Sequence, residues 1–210
     1  MNITGILQNH HGRHSLVRIG SPLAQPTLLC ADITGFTPMV ERLGDLRSLD
    51  VMRRVTRIVR KKTRAQGGTQ LELHGDCFLL SFDSPLAAIH CAVAIQRAVT
   101  ADRAAHPGEG VQFRIAIHTG AVIRNRNGFF GRNVIVPFRL LERTAGGQIL
   151  ISSQAKRLVG GGFHGHFTAE RTFKPKGFRD EIGFVSVEWL GELATSTTPP
   201  LLALADLSTA

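Results

Sequence analysis

The sequence predicts an α+β domain built on one sheet, and three observations support that prediction. Apolar patterns alternate along the chain between short strand-like runs and longer helical periodicities. The turn residues Gly75 and Asp76 separate two short apolar runs and indicate a hairpin. The resulting order is strand, helix, strand, strand, helix, strand, over residues 27–33, 38–64, 70–74, 77–82, 84–105 and 111–118. This order is typical of the ferredoxin-like split βαβ arrangement.

Local signals set the limits of these elements. The first helical stretch is expected to break near Gly44 and to stop at Gly67-Gly68, and Ser84 is expected to cap the second helix. Additions follow at the C-terminal end of the core arrangement. They are a short helix, a strand, a helical turn and a closing hairpin, at residues 133–144, 148–151, 153–158, 167–173 and 182–189.

Length and composition predict one domain with flanking segments. The chain has 210 residues, of which 43% are hydrophobic, enough for one ordinary core. We predict a flexible N-terminal arm at 1–26, the folded domain at 27–190 and a mobile tail rich in Pro, Ser and Thr at 191–210. No apolar run is long enough to span a bilayer and no signal peptide is evident, so a cytoplasmic protein is expected. The three cysteines are expected to be reduced core residues.

The net charge of +9 suits three kinds of partner: nucleic acid, an anionic membrane surface or a small polyanion such as a triphosphate. Much of this charge lies between residues 53 and 64, interleaved with apolar residues at helical spacing. That pattern favours a solvated helix face over a binding face. Neither a nucleic-acid-binding motif nor a Walker-A loop occurs in the chain.

Two aspartates carry the chemical prediction. Asp32 ends a buried apolar strand, where a carboxylate is costly without a cation, and Asp76 lies at the hairpin turn. In a split βαβ sheet the first and third strands are neighbours, which brings these two carboxylates to one sheet end. Such a pair can hold two divalent ions about 3.5–4 Å apart. The turn after Asp32 and the following helix start, at Phe36 and Thr37, could receive phosphates.

Five segments together resemble the catalytic domain of class III adenylate and guanylate cyclases. They occur in the family's order and at its separations, and the resemblance covers residues 27–190. The segments are LLCADITGFT (28–37), GG…LELHGDCFLLSF (67–82), RIAIHTGAV (114–122), FFGRNVIVPFRL (129–140) and GGQILIS (146–152).

The resemblance implies a two-metal reaction in a site shared between the two subunits of a head-to-tail homodimer. It assigns two Mg²⁺ or Mn²⁺ ions to Asp32, Asp76 and the carbonyl of Ile33. These ions activate the ribose 3′-hydroxyl, which attacks the α-phosphate and expels pyrophosphate. The resemblance also places the β- and γ-phosphates on the backbone N–H groups of Phe36 and Thr37. The partner subunit's copy of Arg139 supplies positive charge to the transition state.

The sequence departs from the family at the ribose and base positions. Ile135 stands where an Asn usually contacts the ribose, and Pro137 and Phe138 replace two small residues before the arginine. Glu72 stands where adenylate cyclases have a Lys and guanylate cyclases have a Glu. Gly128 aligns with the second base-reading position and offers no side chain.

These departures leave four hypotheses. The first is a uridylate cyclase, which makes cyclic UMP as an antiphage second messenger for a separate effector, because Glu72 can accept N3–H of uracil and bulky Phe138 suits a smaller base. The second is a guanylate cyclase, again because of Glu72. The third is a catalytically silent cyclase-like binding module, motivated by Ile135. A nucleic-acid-binding protein is the last, and neither nucleic acid nor a membrane span is expected.

Overall fold

Residues 23–125 and 128–189 are described by the structure, a computed structural model. The strands are β1 (Leu23–Ala24), β2 (Thr27–Ile33), β3 (Thr69–His74), β4 (Cys77–Phe82), β5 (Phe113–Thr119), β6 (Val122–Asn125), β7 (Gly128–Phe130), β8 (Ile149–Ser152), β9 (His166–Phe167), β10 (Arg171–Phe173) and β11 (Ile182–Glu188). The helices are α1 (Phe36–Leu43), α2 (Asp45–Ala65), α3 (Pro85–Ala105), α4 (Arg132–Leu141) and α5 (Ser153–Arg157), and a short 3₁₀ turn covers Gly160–Gly162.

The main sheet has eight strands, and β2 lies in its interior between β5 and β4. Seven of them follow the order β10-β11-β8-β5-β2-β4-β3, and β9 pairs with β11. β2 is antiparallel to both β4 and β5, while β5 and β8 run parallel. The predicted α+β arrangement is therefore confirmed, including the neighbouring positions of the first and third predicted strands. In this register Asp32 lies opposite Cys77 on one side and Arg114 on the other.

Local backbone chemistry explains the helix limits. Gly44 separates α1 from α2 with φ of 74°, a conformation that glycine adopts without a steric penalty, so the predicted break is confirmed. The Ser84 hydroxyl accepts a hydrogen bond from the backbone N–H of Ala87 at 3.2 Å, as expected of an N-cap. α2 and α3 then each run for 21 residues.

Two apolar layers hold the sheet between helices. On one face α2 presents Val51, Val55 and Val59 at four-residue spacing, and α3 packs beside it. The other face carries a smaller cluster, against which α4 packs with Leu140 and Leu141. All three cysteines are buried and unpaired, as predicted, at Cys30, Cys77 and Cys91.

The structure differs from the sequence prediction in three places. A second, three-stranded sheet of order β1-β6-β7 was not expected. Its β1, Leu23–Ala24, belongs to the predicted N-terminal arm, and two residues are too few to show a strand pattern. The predicted strand at 167–173 is two separate short strands, β9 and β10. Residues 1–22 of the arm and the whole predicted tail at 191–210 lie outside the described residues, so the domain limits stay a prediction.

Within the described part of the chain, no helix combines the length and apolar character needed to cross a bilayer.

Candidate functional site

Asp32 lies near the end of β2 and is 1% exposed. Arg114 of β5 donates to its Oδ2 from both Nε, at 2.8 Å, and Nη2, at 2.5 Å. The other oxygen, Oδ1, is buried and has no hydrogen-bond partner among the described residues. A buried carboxylate oxygen without a donor is unfavourable, so this atom is suited to a cation ligand.

Asp76 lies in the turn between β3 and β4, directly before the residue that pairs with Asp32. Its side chain is half-buried. Burial raises the pKa of the Asp76 carboxyl, and the negative charge of Asp32 raises it further, while its own backbone N–H and Arg114 act in the opposite direction. The two predicted carboxylates therefore lie close enough to repel each other, and a divalent cation between them would relieve that repulsion.

The donor set at this edge fits a metal site completed by backbone oxygens. Among the described residues, no group of three or more His, Cys, Asp or Glu side chains could hold an ion. Mg²⁺ commonly binds through one or two carboxylates together with oxygens of the substrate and of water. The pair Asp32 and Asp76 meets that requirement, and Ile33, the last residue of β2, follows Asp32 directly.

The start of α1 lies four residues after Asp32. Gly35 precedes the helix with φ of 72°, and the first helical hydrogen bond runs from the N–H of Met39 to the carbonyl of Gly35. The backbone N–H groups of Phe36 and Thr37 belong to the first turn, where the helix supplies no acceptor. Such groups, at the positive end of the helix dipole, are suited to an anion.

Glu72, the first base-reading candidate, lies on the opposite side of the hairpin from α2. Glu72 pairs with Leu79 in the register of β3 and β4, and a bulge precedes it. Its carboxylate lies 2.7 Å from Nε2 of His74, so this polar group already has a partner. Gly128 begins β7 with φ of 122°, and open space surrounds the position of a Cβ there.

Arg139 projects from the last turn of α4 and interacts with its own helix. Its Nη1 lies 2.6 Å from a carboxylate oxygen of Glu142, while its Nε is buried without a hydrogen-bond partner among the described residues. Arg139 makes no ion pair with Asp32 or Asp76 within that part of the chain, so the structure of one subunit does not bring the third predicted catalytic residue to the carboxylates.

The wall beside Arg139 is apolar, as its sequence indicates. Pro137 is buried inside α4, and Phe138 packs against the cluster that contains Cys77 and Leu79. Ile135 is half-buried. Glu72 pairs with Leu79 of the same cluster, so Phe138 and Glu72 belong to one face of the sheet.

Sequence reasoning missed Arg114 and the polar contacts of His118. Arg114 is the one cation within the otherwise apolar run of β5, and an isolated cation beside a strand that ends in a carboxylate is a signal that could have identified it. His118 is buried in the core and contacts the Ser152 hydroxyl at 2.8 Å and Oδ1 of Asn133 at 3.1 Å. Burial lowers the pKa of His118 to about 4, so it is neutral and anchors α4 to the sheet.

A profile of the adenylate and guanylate cyclase catalytic domain matches residues 21–185, more than three quarters of the chain. The chain belongs to this cyclase family. Among solved structures, the cyclase domain is similar to the guanylyl cyclase Cya2, with a TM-score of 0.72, 28% identity, and coverage of 80% of this chain and 94% of that one. It is also similar to an adenylate/guanylate cyclase/hydrolase from Silicibacter pomeroyi, with a TM-score of 0.68, 26% identity, and coverage of 79% and 97%.

More distant relatives support the fold. The adenylyl cyclase CyaB from P. aeruginosa matches with a TM-score of 0.69 and 22% identity over 78% of this chain and 93% of that one. The uncharacterized protein Rv2212 of Mycobacterium tuberculosis is 26% identical over 132 residues, which are 61% of this chain. The match spans only 33% of that relative's length.

Proposed function

We propose that this cyclase domain converts a nucleoside triphosphate into a 3′,5′-cyclic nucleotide and pyrophosphate, and that UTP is its preferred substrate. The observation that carries the proposal is the carboxylate pair Asp32 and Asp76 at one sheet edge, with a buried carboxylate oxygen left without a donor. The first turn of α1 offers backbone N–H groups beside this pair.

Each residue has a distinct role in this proposal. Asp32 and Asp76 hold two Mg²⁺ or Mn²⁺ ions, together with the carbonyl of Ile33. Bound ions of this kind lower the pKa of a hydroxyl and neutralise phosphate charge. The N–H groups of Phe36 and Thr37 bind the β- and γ-phosphates.

Arg114 donates two hydrogen bonds to Oδ2 of Asp32, which fixes the orientation of that carboxylate and leaves Oδ1 for a metal ion. Positive charge near the reacting phosphate comes from Arg139 of a second subunit. Since Arg139 of the same chain contacts Glu142 instead of the carboxylates, a head-to-tail homodimer provides the complete site.

The base preference rests on Glu72, Gly128 and Phe138. Position 72 lacks the Lys with which adenylate cyclases recognise adenine, because a Glu stands there. Gly128 contributes no side chain, so Glu72 alone contacts the base and accepts N3–H of uracil. Phe138 lies on the same face of the sheet and narrows the space for the base. In this proposal cyclic UMP is a second messenger for a separate effector in antiphage defence.

A guanylate cyclase is the second candidate, because Glu72 can also accept hydrogen bonds from N1–H and N2–H of guanine. The guanylyl cyclase Cya2, at 28% identity, supports this alternative. The deciding experiment incubates the purified protein with each of the four nucleoside triphosphates and Mn²⁺ and identifies cyclic products by mass spectrometry. Cyclic UMP as the main product supports the proposal, cyclic GMP supports the alternative, and the lack of any product supports a silent binding module.

A further inference from the structure

A groove of about 850 Å³ lies between α2 and the β3–β4 hairpin, on the opposite side of the hairpin from Glu72. One end reaches Phe36 and Gly75, which are close in sequence to the two catalytic carboxylates. We call this cavity the basic groove, because cationic side chains of α2 line one side. They are Arg53, Arg57, Arg60, Lys61 and Arg64.

Apolar side chains line the rest of the basic groove. Leu49 of α2 is 46% exposed, and Leu73 of β3 faces it from the hairpin with 38% exposure. Met52, one helical turn after Leu49, is half-buried between them. Burying this surface would be favourable, by about 25 cal/mol for each Å² of apolar area removed from water.

The charge of the basic groove is largely unbalanced. Arg53 forms an exposed ion pair with Asp50, and Arg60 donates to the side chain of Gln70. The side chains of Arg57, Lys61 and Arg64 have no hydrogen bond or ion pair to any residue that the structure describes, and no carboxylate of those residues lines the groove. From residue 57 to residue 64 the helix rises about 10 Å, so these cations form a row beside the apolar residues.

We propose that the basic groove is a docking site for an acidic amphipathic helix of a partner protein. Such a helix places apolar residues at three- and four-residue spacing in the groove and carboxylates along the cationic row. A ligand of this kind pairs with the cationic side of the groove and buries its apolar side at the same time. A ligand that is only charged or only apolar matches one side alone. The inference concerns α2 and the hairpin and is independent of the choice of substrate.

Other occupants fit the groove less well. No helix that the structure describes carries a net negative charge, so a second copy of this chain offers no acidic helix to the groove. A flat anionic bilayer cannot reach the apolar floor of a concave groove. Nucleic acid favours cations interleaved with stacking aromatic residues, and among the described residues Phe36 is the only aromatic one that lines this groove.

The test measures binding of a fluorescein-labelled acidic helical peptide of roughly 18 residues, about five turns, with Leu at three- and four-residue spacing and Glu elsewhere. Fluorescence anisotropy is recorded at about 0.15 M salt, where weak long-range attraction is screened. Arg57→Glu/Arg64→Glu changes the groove. Arg47→Glu/Arg157→Glu is the matched control, because it changes the net charge equally at exposed positions outside the groove.

We expect the groove variant to weaken peptide binding at least about tenfold and the control variant less than about twofold. A second variant, Leu49→Ser/Leu73→Ser, keeps every charge and weakens binding about fivefold or more, since it removes the apolar anchors. Circular dichroism and urea unfolding establish that each variant is folded. A photo-crosslinker in the peptide is expected to label the basic groove.

Four outcomes would overturn the proposal. Equal loss in the groove and control variants would mean attraction by net charge alone, and an unchanged affinity in the Leu49→Ser/Leu73→Ser variant would exclude an amphipathic ligand. If a duplex DNA of roughly 20 base pairs, or vesicles containing anionic lipid, bound more tightly than the peptide and lost more affinity in the groove variant, that ligand would replace the acidic helix as the occupant of the groove. Loss of self-association in that variant, measured by sedimentation, would identify a self-interface.

Discussion

The proposed metal-binding edge, with Asp32, Asp76 and Arg114, and the proposed base-reading wall, with Glu72 and Arg139, hold their polar groups differently. At the edge, Arg114 on an adjacent strand forms an ion pair with the buried Asp32 and is itself partly exposed, and Asp76 directly precedes the next strand. At the wall, Glu72 and Arg139 each bind a near neighbour in sequence, His74 and Glu142, and both of these partners are about half-exposed. The edge is held by long-range strand pairing, whereas the wall is held by local contacts.

Because of this difference, we expect the two regions to tolerate substitutions to different extents. A change at the edge disturbs buried charge, for which no solvent is available as a substitute. A change at the wall removes an ion pair to a half-exposed partner, which water can solvate, so its cost to the fold is expected to be small. The departures from the family, such as Ile135, Gly128 and Phe138, are accordingly all at the wall.

The largest effect is expected from the carboxylates. Asp32→Ala and Asp76→Ala should each reduce cyclase activity by roughly a thousandfold or more, because the metal site supplies several kcal/mol of the rate enhancement. Initial rates with Mn²⁺ and UTP measure this loss. The control is Asp83→Ala, which removes an exposed carboxylate at the other end of β4 and should leave activity unchanged. Full activity of either site variant in the presence of EDTA would contradict two-metal catalysis.

Subunit mixing tests whether Arg139 acts across a dimer. Asp76→Ala and Arg139→Ala proteins should each be inactive. After free exchange of equal amounts, half of the dimers are mixed and each has one intact site, so about a quarter of the wild-type activity should return. Labelled subunits monitor the exchange. If exchange is complete and no activity returns, the edge and the wall belong to the same subunit.

The two arginines should differ in their effect on stability. Arg114→Leu leaves Asp32 buried without its cation and should lower the free energy of unfolding by about 3 kcal/mol. Arg139→Leu removes an ion pair to the half-exposed Glu142 and should cost less than about 1 kcal/mol. Urea unfolding at pH 7 measures both variants. Equal losses of unfolding free energy in the two variants would show that buried charge contributes no more to stability at the edge than at the wall.

His118 should make stability depend on pH. Its pKa is about 4 in the folded protein, below the ordinary 6.5, so its contribution is complete above pH 6.5 and is lost as the pH falls toward 4. Between pH 7 and pH 5 we expect a loss of about 2 kcal/mol in the free energy of unfolding, because the unfolded chain binds the proton more readily. His118→Gln should be less stable at pH 7 but should lose less between these pH values. The same slope in both proteins would assign the effect to other groups.

The smallest effect is expected at the wall. Glu72→Ala should lower kcat/KM for UTP about tenfold and reduce the discrimination against CTP, because an N3–H left without an acceptor costs about 1–3 kcal/mol. Metal binding should not change. His74→Ala is the companion variant and should retain the preference for UTP, since it leaves the Glu72 carboxylate in place. Cyclic GMP as the main wild-type product would overturn the uridine proposal and leave the cyclase assignment intact.

Elements with strong local signals were predictable from the sequence. Gly44 ends a helix and Ser84 begins one through backbone chemistry that depends on the residue itself. The turn at Gly75 and Asp76 was predicted at the correct residues, because β3 ends at His74 and β4 begins at Cys77. The proximity of Asp32 and Asp76 also followed, because the order of strands and helices permits few topologies.

The sequence by itself thus determined the order of elements, the family and the two carboxylates at one edge. Only the tertiary structure decided which side chains meet. Arg114 and Asp32 are 82 residues apart, and His118 and Ser152 are 34 apart, so no local periodicity records either contact. The same holds for β1, whose two residues become a strand only because β6 offers them an edge. Such pairings depend on strand register and burial, which are set when the sheet assembles and not by the residues on either strand alone.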